Sequence, residues 1–577
     1  MAASDSIATG LYSSRGPCQF LLCSLHCMND RPNFNRQFGR LDIGIIALTG
    51  LAVVLPFLHF GIPSGHDFEF HFHSWLEVAD DWRNGLIYPH WAALAHYGYG
   101  EARFVFYPPL SWSLGAALGL LLPWKLVPAA YLWVVLTFSG ASMFLLARQW
   151  FSRTDALFAA AFYAANPYHL VIVYWRSAFA ELLAAAYLPL LLLYALQSEE
   201  GRARVIAPLS LILAAGWLTN IPSAVVMNYS IAILLLAIAI RNRSFVVLGY
   251  GAAAIALGAA IAAVYLLPAW HQQGWVSLDQ VLSPGVRPQD NFLFAVTSDP
   301  DHNQFNRLVS VVAVWEMAIL GAAFFLCRRQ RRDKIWWPLV IWTIASSVLM
   351  ISFTGPLWQH LPKLRFVQFP WRWLLCLNVA LAAAIGLGFR RMWLRIAISI
   401  VAFGAVVLGW HSIMRPWWDN AGDIQELVEN QSDGTGNEGV DEYVPAGVES
   451  TDVDQKASQV RFEGAGMANI AVTEWRPEDR RINAEANAPG RLVLRLFNYP
   501  NWRVEVNGVE KHSETAPQTG LLVIPIDAGA NRIHIRWAEG WDRKVGGAIS
   551  IVAFAVLGIC WYRHNRPAAE NSAEMRL

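Results

Sequence analysis

The chain has 577 residues, of which 55% are hydrophobic and only 15% charged, with a formal net charge of +1. So little charge over such a length excludes an ordinary soluble domain, and a near-neutral balance without a basic stripe excludes nucleic acid as a partner. Repeated apolar runs of about 17–25 residues, each able to cross hydrocarbon, read as a polytopic α-helical membrane protein.

In chain order, residues 1–40 read as a cytoplasmic tail without fixed structure. It carries Cys18, Cys23 and Cys27, with no histidine spacing that would make a zinc knuckle. Residues 41–411 read as the transmembrane domain, beginning with a span over 41–60. The hydrophilic stretch 61–108 is its first outer loop. "PLSWSLGAALGLLLPW", Pro109 to Trp124, is short and bounded by prolines, so it reads as a re-entrant or interfacial helix. Further apolar runs follow from 126 to 411, and a last one covers 545–562 before the tail 563–577. About twelve spans result. The links richest in Lys and Arg then fall on one side, which places both termini in the cytoplasm.

The region 412–544 falls on the opposite side. Its later part alternates with period two: "WRVEVNG" puts Trp502, Val504 and Val506 on one face before an Asn-Gly turn, and "NRIHIRW" does the same with Ile533, Ile535 and Trp537. A small extracytoplasmic β-domain is expected. It contains no cysteine, so disulfides do not staple it.

The chemistry concentrates in "GHDFEFHFHSW", Gly65 to Trp75, just beyond the first span. There Asp67 is the sharpest candidate: a carboxylate near the headgroup plane can take a proton from a sugar or lipid hydroxyl, or hold a divalent metal. It can equally be a helix N-cap. On a helix Asp67 and His71 share a face, and Glu69 and His73 share another. His66 and His73 are candidate substrate contacts. No HExxH-type pattern occurs, so a metal held by Asp67 and His71 is an alternative rather than the first reading.

Trp91 and Tyr107, in the rest of the loop, suit either an interfacial belt or stacking on a sugar. Arg176 and Glu181, in "YWRSAFAELLA", are ionisable at the end of a span and need either each other or a ligand. Arg365 and Arg372, in "KLRFVQFPWRW", suit phosphate oxygens. No Gly-rich phosphate loop, G-x-S-x-G elbow or Walker sequence is present.

At "GHDFEFH", "IYPHW", "YGYGEARFVFYPPL" and "RSAFAELLA" the chain resembles the bacterial 6-pyruvoyl-tetrahydropterin-synthase-related integral membrane proteins, which belong with the GT-C glycosyltransferase superfamily. The likeness extends to "LFNYPNWRVEVNG". It implies an inner-membrane enzyme that moves a sugar from a polyprenyl-phosphate donor to a cell-envelope glycan, lipid or protein, with inversion, on the outer face. By the resemblance, Asp67 would be the base, His71 would orient it, Glu69 or Asp81 would be a working partner carboxylate, and Arg365 or Arg372 would meet the leaving phosphate. A flippase for lipid-linked glycans and a non-enzymatic envelope assembly protein are the alternatives.

Overall fold

A computed structural model describes residues 39–200, 203–326, 335–389, 391–448 and 453–565. The expected tail 1–40, with its three cysteines, therefore lies almost wholly outside the described residues, as does most of 563–577.

The apolar runs are helical. Among the described residues seven helices are long and apolar enough to cross a membrane: Arg40–Phe60, Trp124–Ala147, Arg153–Arg176, Phe179–Gln197, Ile221–Asn242, Pro300–Leu326 and Met392–Ser412. Two further pairs are sharply bent, Val246–Ile261 with Ala263–Trp275 and Trp336–Leu349 with Ser352–His360, which makes nine if each is one span. Ala203–Trp217, Pro370–Gly386 and Pro109–Leu121 are shorter apolar helices. The expected number, about twelve, is larger than this count among the described residues, where three more apolar helices are short and the expected last span, 545–562, lies in the helix Trp541–Asn565.

Beyond the first span, the helix Phe68–Arg83 carries the charged loop sequence. It is packed on one side against the short helix Pro109–Leu121, where Gly115 leaves room for the Trp75 ring. A two-residue ladder pairs Ile62–Pro63 with Trp418–Asp419 and joins the exit of the first span to the exit of the helix Met392–Ser412.

Residues 460–537 form two antiparallel sheets. One holds Val460–Gly464, Gly490–Phe497, Leu521–Ile526 and Glu514–Thr515 in that order; the other holds Ala468–Trp475, Asp479–Ala486, Gly529–Trp537, Trp502–Val506 and Val509–Lys511. The register follows the sequence pattern: Ile533 faces Val506, Ile535 faces Val504, and Trp537 faces Trp502. Asn507 and Gly508 both have positive φ, 54° and 80°, as a tight hairpin of matching twist requires.

The core between the sheets is shared. Trp91, Tyr99, Ala102, Val105 and Phe106 of the first loop are buried with Leu492, Phe497, Tyr499, Trp502 and Ile535 in one apolar cluster. Trp91 packs its ring within 5.3 Å of Trp502 and 5.9 Å of Tyr499 and Trp537. This part of the first loop is therefore covered by β-structure, and Trp91, Tyr99 and Phe106 are core.

Candidate functional site

Asp67 stands at the N-terminus of the helix Phe68–Arg83, but its side chain caps nothing. Its Oδ2 instead accepts from Arg176 Nη2 at 3.2 Å. The Asp67 side chain is 37% exposed, whereas Arg176 is 3% exposed. A second bond fixes the pair, from the Asp67 backbone N–H to the Arg176 carbonyl at 2.9 Å.

The approach is local in origin. Arg176 ends a one-turn π-helix, Ile172–Arg176, and Ser177 then turns left-handed at φ 50°. Such π-turns recur at functional positions because they re-aim one side chain off the regular ladder. The Ser177 hydroxyl donates to the Pro63 carbonyl at 2.8 Å and accepts from Gly65 N–H at 3.0 Å. A Cβ on Gly65 would overlap the Trp175 carbonyl, so only glycine lets the Asp67 segment lie against this turn.

Behind Asp67 the charges continue inward. Arg176 also bonds Glu181, whose Oε2 accepts from Arg372 Nε at 2.9 Å and whose Oε1 accepts from the Tyr168 hydroxyl at 2.7 Å. Arg372 donates further to the Val367 carbonyl at 2.6 Å and to Gln368 Oε1 at 3.1 Å. Phe369 and Trp371, stacked at 4.6 Å, present faces to these guanidinium groups: Arg176 lies 4.9 Å from Trp371 and Arg372 4.6 Å from Phe369. Two arginines and two carboxylates thus form one alternating chain, buried except at Asp67. Buried charges persist when paired and hydrogen-bonded in this way.

The structure brings together four residues singled out from sequence, Asp67, Arg176, Glu181 and Arg372, and sets Tyr107 beside them. Burial, reinforced by the Asp67 charge, pushes the Tyr107 phenol well above its usual range and keeps it protonated. His71 is buried among Phe70, Tyr107 and Phe179, and burial pushes its imidazole down to about 4, so it is neutral at physiological pH. No hydrogen bond joins its ring to the Asp67 carboxylate among the described residues; the shared bond is the helical one, His71 N–H to the Asp67 carbonyl at 3.2 Å.

Other candidates sit elsewhere. Glu69 is exposed and faces Asp419 and Glu438, whose charges, after burial, raise its carboxyl. His73 is buried near Arg103, with its Nδ1 unpartnered. His66 is exposed against Phe305 and Trp417. Arg365 is exposed and packs on Phe366 at 5.0 Å. Trp91 belongs to the β-core described above. Among the described residues no three His, Cys, Asp or Glu side chains converge as a metal site requires. Asp67 has a guanidinium as its partner, so this donor set does not fit a divalent ion.

Sequence reasoning missed Glu442. It lies in the segment preceding the sheets, close enough to Asp67 and Glu101 for their charges to add to burial and push its carboxyl up to about 7. It missed Glu316 as well, fully buried in the helix Pro300–Leu326, where Oε2 accepts from Asn378 at 2.9 Å and Oε1 has no partner. A lone glutamate inside "VVAVWEMAIL" was a visible signal for the second; Glu442, in a loop already rich in acids, offered none.

Apolar spans, a buried charge chain open at Asp67 and two sheets packed on the first loop define a polytopic membrane protein with an extramembrane β-domain. Residues 104–418, more than half of the chain, match the 6-pyruvoyl-tetrahydropterin synthase related domain, a membrane-protein family. The chain belongs to that family. No curated protein matches it. Among solved structures, the apo oligosaccharyltransferase of Archaeoglobus fulgidus is similar at 15% identity and a TM-score of 0.35, over 71% of this chain and 57% of that one. The same archaeal enzyme, AglB, in complex with an inhibitory peptide and a dolichol-phosphate, is similar at 14% identity and a TM-score of 0.35, over 70% and 56%. This chain thus spans less than two thirds of those structures. So loose a superposition aligns no side chains, and the site rests on its own geometry.

Proposed function

We propose that the protein is a membrane glycosyltransferase that moves a sugar from a polyprenyl-phosphate donor to a cell-envelope acceptor. The observation that carries this reading is the Asp67–Arg176–Glu181–Arg372 chain, which has one accessible carboxylate at its end and buried cations behind it. In this reading Asp67 takes the proton of an acceptor hydroxyl as its oxygen attacks the anomeric carbon, with inversion. The lipid phosphate leaves from the opposite face of the ring, its growing charge eased by the field of the buried Arg176 and Arg372 guanidinium groups. Phosphate leaves readily, so no acid need protonate it, unlike the leaving oxygen in a glycosidase. The protonated Tyr107 stands beside the carboxylate, and the neutral His71 packs behind it. The site would face the outside of a bacterial inner membrane, with both chain termini in the cytoplasm.

The test uses protein in nanodiscs with a panel of polyprenyl-phosphate hexoses and pentoses and envelope extract as acceptor. Release of free polyprenyl phosphate, followed by mass spectrometry, is expected; folded protein that releases none across the panel overturns the reading.

One observation favours a second reading. Glu316 is an ionisable group buried within a span, and such groups mark translocation paths. A flippase for lipid-linked glycans would lose translocation in Glu316→Gln, whereas a transferase would keep its turnover.

A further inference from the structure

A cavity of about 300 Å³ lies between the far end of the helix Phe68–Arg83 and the β-domain, where Trp475 and Arg480 come from the second sheet and Arg495 from the first, and it is separate from the Asp67 chain. Glu77 and Asp81 form its helix wall, and Trp475, Arg476, Arg480 and Arg495 form its sheet wall. The volume equals about ten waters at liquid density and falls within the range of small-ligand sites.

The walls carry hydrogen-bonding capacity that the protein leaves unused. Glu77 accepts from Leu94 N–H at 2.6 Å through Oε1, but its Oε2 is buried without a partner, and so is Asp81 Oδ2. Across the cavity, Arg480 Nε and Nη1 and Arg495 Nε are buried donors without partners. Arg480 is 1% exposed, Asp81 4% and Glu77 5%. The Arg480 guanidinium is held between Trp475 at 5.0 Å and Trp502 at 4.8 Å, so it cannot swing out to water. Leaving such groups unpaired is costly, most of all when they are charged, and two facing rows of them are hard to explain as packing.

The chemistry of the walls selects the ligand. Glu77, Asp80 and Asp81 face Arg476, Arg480 and Arg495, so acceptors and donors stand on opposite walls rather than one sign of charge all round. Burial, reinforced by Glu77, Glu478 and Asp80, pushes the Asp81 carboxyl up to about 9, and burial brings Arg480 down to about 9. A neutral Asp81 both donates and accepts. A ligand matching these walls carries closely spaced groups that are donor and acceptor at once.

We infer that this cavity is a saccharide site, in which a neutral sugar unit sets vicinal hydroxyls against Glu77 and Asp81 on one side and Arg480 and Arg495 on the other. It recognises glycan without transferring it, and it exists whether or not Asp67 is a catalytic base. Asp80 is exposed at its edge, so a glycan chain has a way in.

The test is equilibrium binding to the full chain in nanodiscs, with no donor present. The probes are unlabelled chitobiose, mannobiose, lactose and arabinobiose up to millimolar concentration, read by saturation-transfer NMR. At least one is expected to bind wild type and Asp67→Asn alike, and to bind Asp81→Leu and Arg480→Gln about tenfold more weakly, the loss of a hydrogen bond to the sugar. If Arg480→Gln fails to fold, the near-isosteric Asp81→Leu and Gln431→Ala, at another residue lining the cavity, carry the test. No binding to folded wild type by any of the four overturns the inference. So does binding that the cavity variants leave unchanged, or displacement of the sugar by inorganic phosphate or acetate, which would make the cavity an anion site.

Discussion

Asp67 and Arg176, 109 positions apart, meet twice: through their side chains at 3.2 Å, and through the Asp67 N–H and the Arg176 carbonyl at 2.9 Å. The double contact fixes the carboxylate while leaving the Asp67 side chain partly open. A group held in this way is pre-oriented and still within reach of a substrate.

Asp67→Asn keeps the volume and the backbone bond but removes the basicity. Turnover should fall about a hundredfold or more, the scale of a positioned base, while the melting temperature changes little. Free polyprenyl phosphate and thermal unfolding, measured on the same preparation, check both halves. Turnover retained at the wild-type level removes Asp67 from the chemistry.

Arg372→Gln takes one cation from Glu181, which keeps Arg176 and Tyr168. Breaking a buried pair from one side costs about 3–5 kcal/mol when nothing compensates, so a lower melting temperature is expected together with a raised donor KM. The double variant Arg372→Gln/Glu181→Gln should recover part of the stability and none of the donor binding. A double-mutant cycle with no coupling would contradict the network.

Gly65→Ala adds one methyl where the Trp175 carbonyl already sits. The Asp67 segment must shift away from Ser177, so activity should drop although no charged group has changed. Full activity in this variant would show that the close approach is dispensable.

Glu442, raised to about 7 by burial and by the charges of Glu101 and Asp67, loses its proton near neutrality. If it sits in the transfer site, the rate against pH should inflect near 7 in wild type, and Glu442→Gln should remove that inflection. An unchanged profile would place Glu442 outside the reaction.

Asp81 gives a stability prediction whose sign follows from its raised carboxyl. The folded state favours its protonated form, so its contribution is fully present below about 4 and is lost as pH rises toward 9. Glu77, raised to about 7, loses its share earlier in the same direction. Asp81→Asn should therefore gain on wild type as pH climbs from 5 to 9 in thermal unfolding. A constant gap would mean that Asp81 is ionised throughout.

The membrane class was legible because hydrophobicity is a sum over long segments, and the sheet faces because period two survives in seven residues of "WRVEVNG". The members of the charge chain were legible one at a time, since Arg176, Glu181 and Arg372 stand out at the ends of apolar stretches. Their union was not: Glu181 and Arg372 are 191 positions apart, and no local pattern encodes such a meeting. Trp91 misled for a related reason. A tryptophan in an outer loop is chemically the same at a membrane surface, on a sugar or inside a β-core, and only the partner decides. Arg480 was invisible because it lies in a strand where exposed charges alternate with buried residues, and its neighbour Arg481 looks identical in sequence.

Glu101 receives Arg103 Nε at 2.5 Å, pairs with His96 Nε2 at 2.9 Å, and accepts the Val440 N–H at 2.8 Å across 339 positions. That span has a consequence for biosynthesis. A chain inserted from its N-terminus delivers residues 61–108 long before the segment that will cover them has been made. During that interval Glu101, Trp91 and their neighbours lack the strands that bury them, and the loop cannot reach its final form. Maturation of this protein is therefore a late event, completed only when residues near 440 and the sheets beyond them arrive. A chain truncated before that point should insert its early helices and still leave the Asp67 loop unfinished, prone to proteolysis at the very sequence that carries its chemistry.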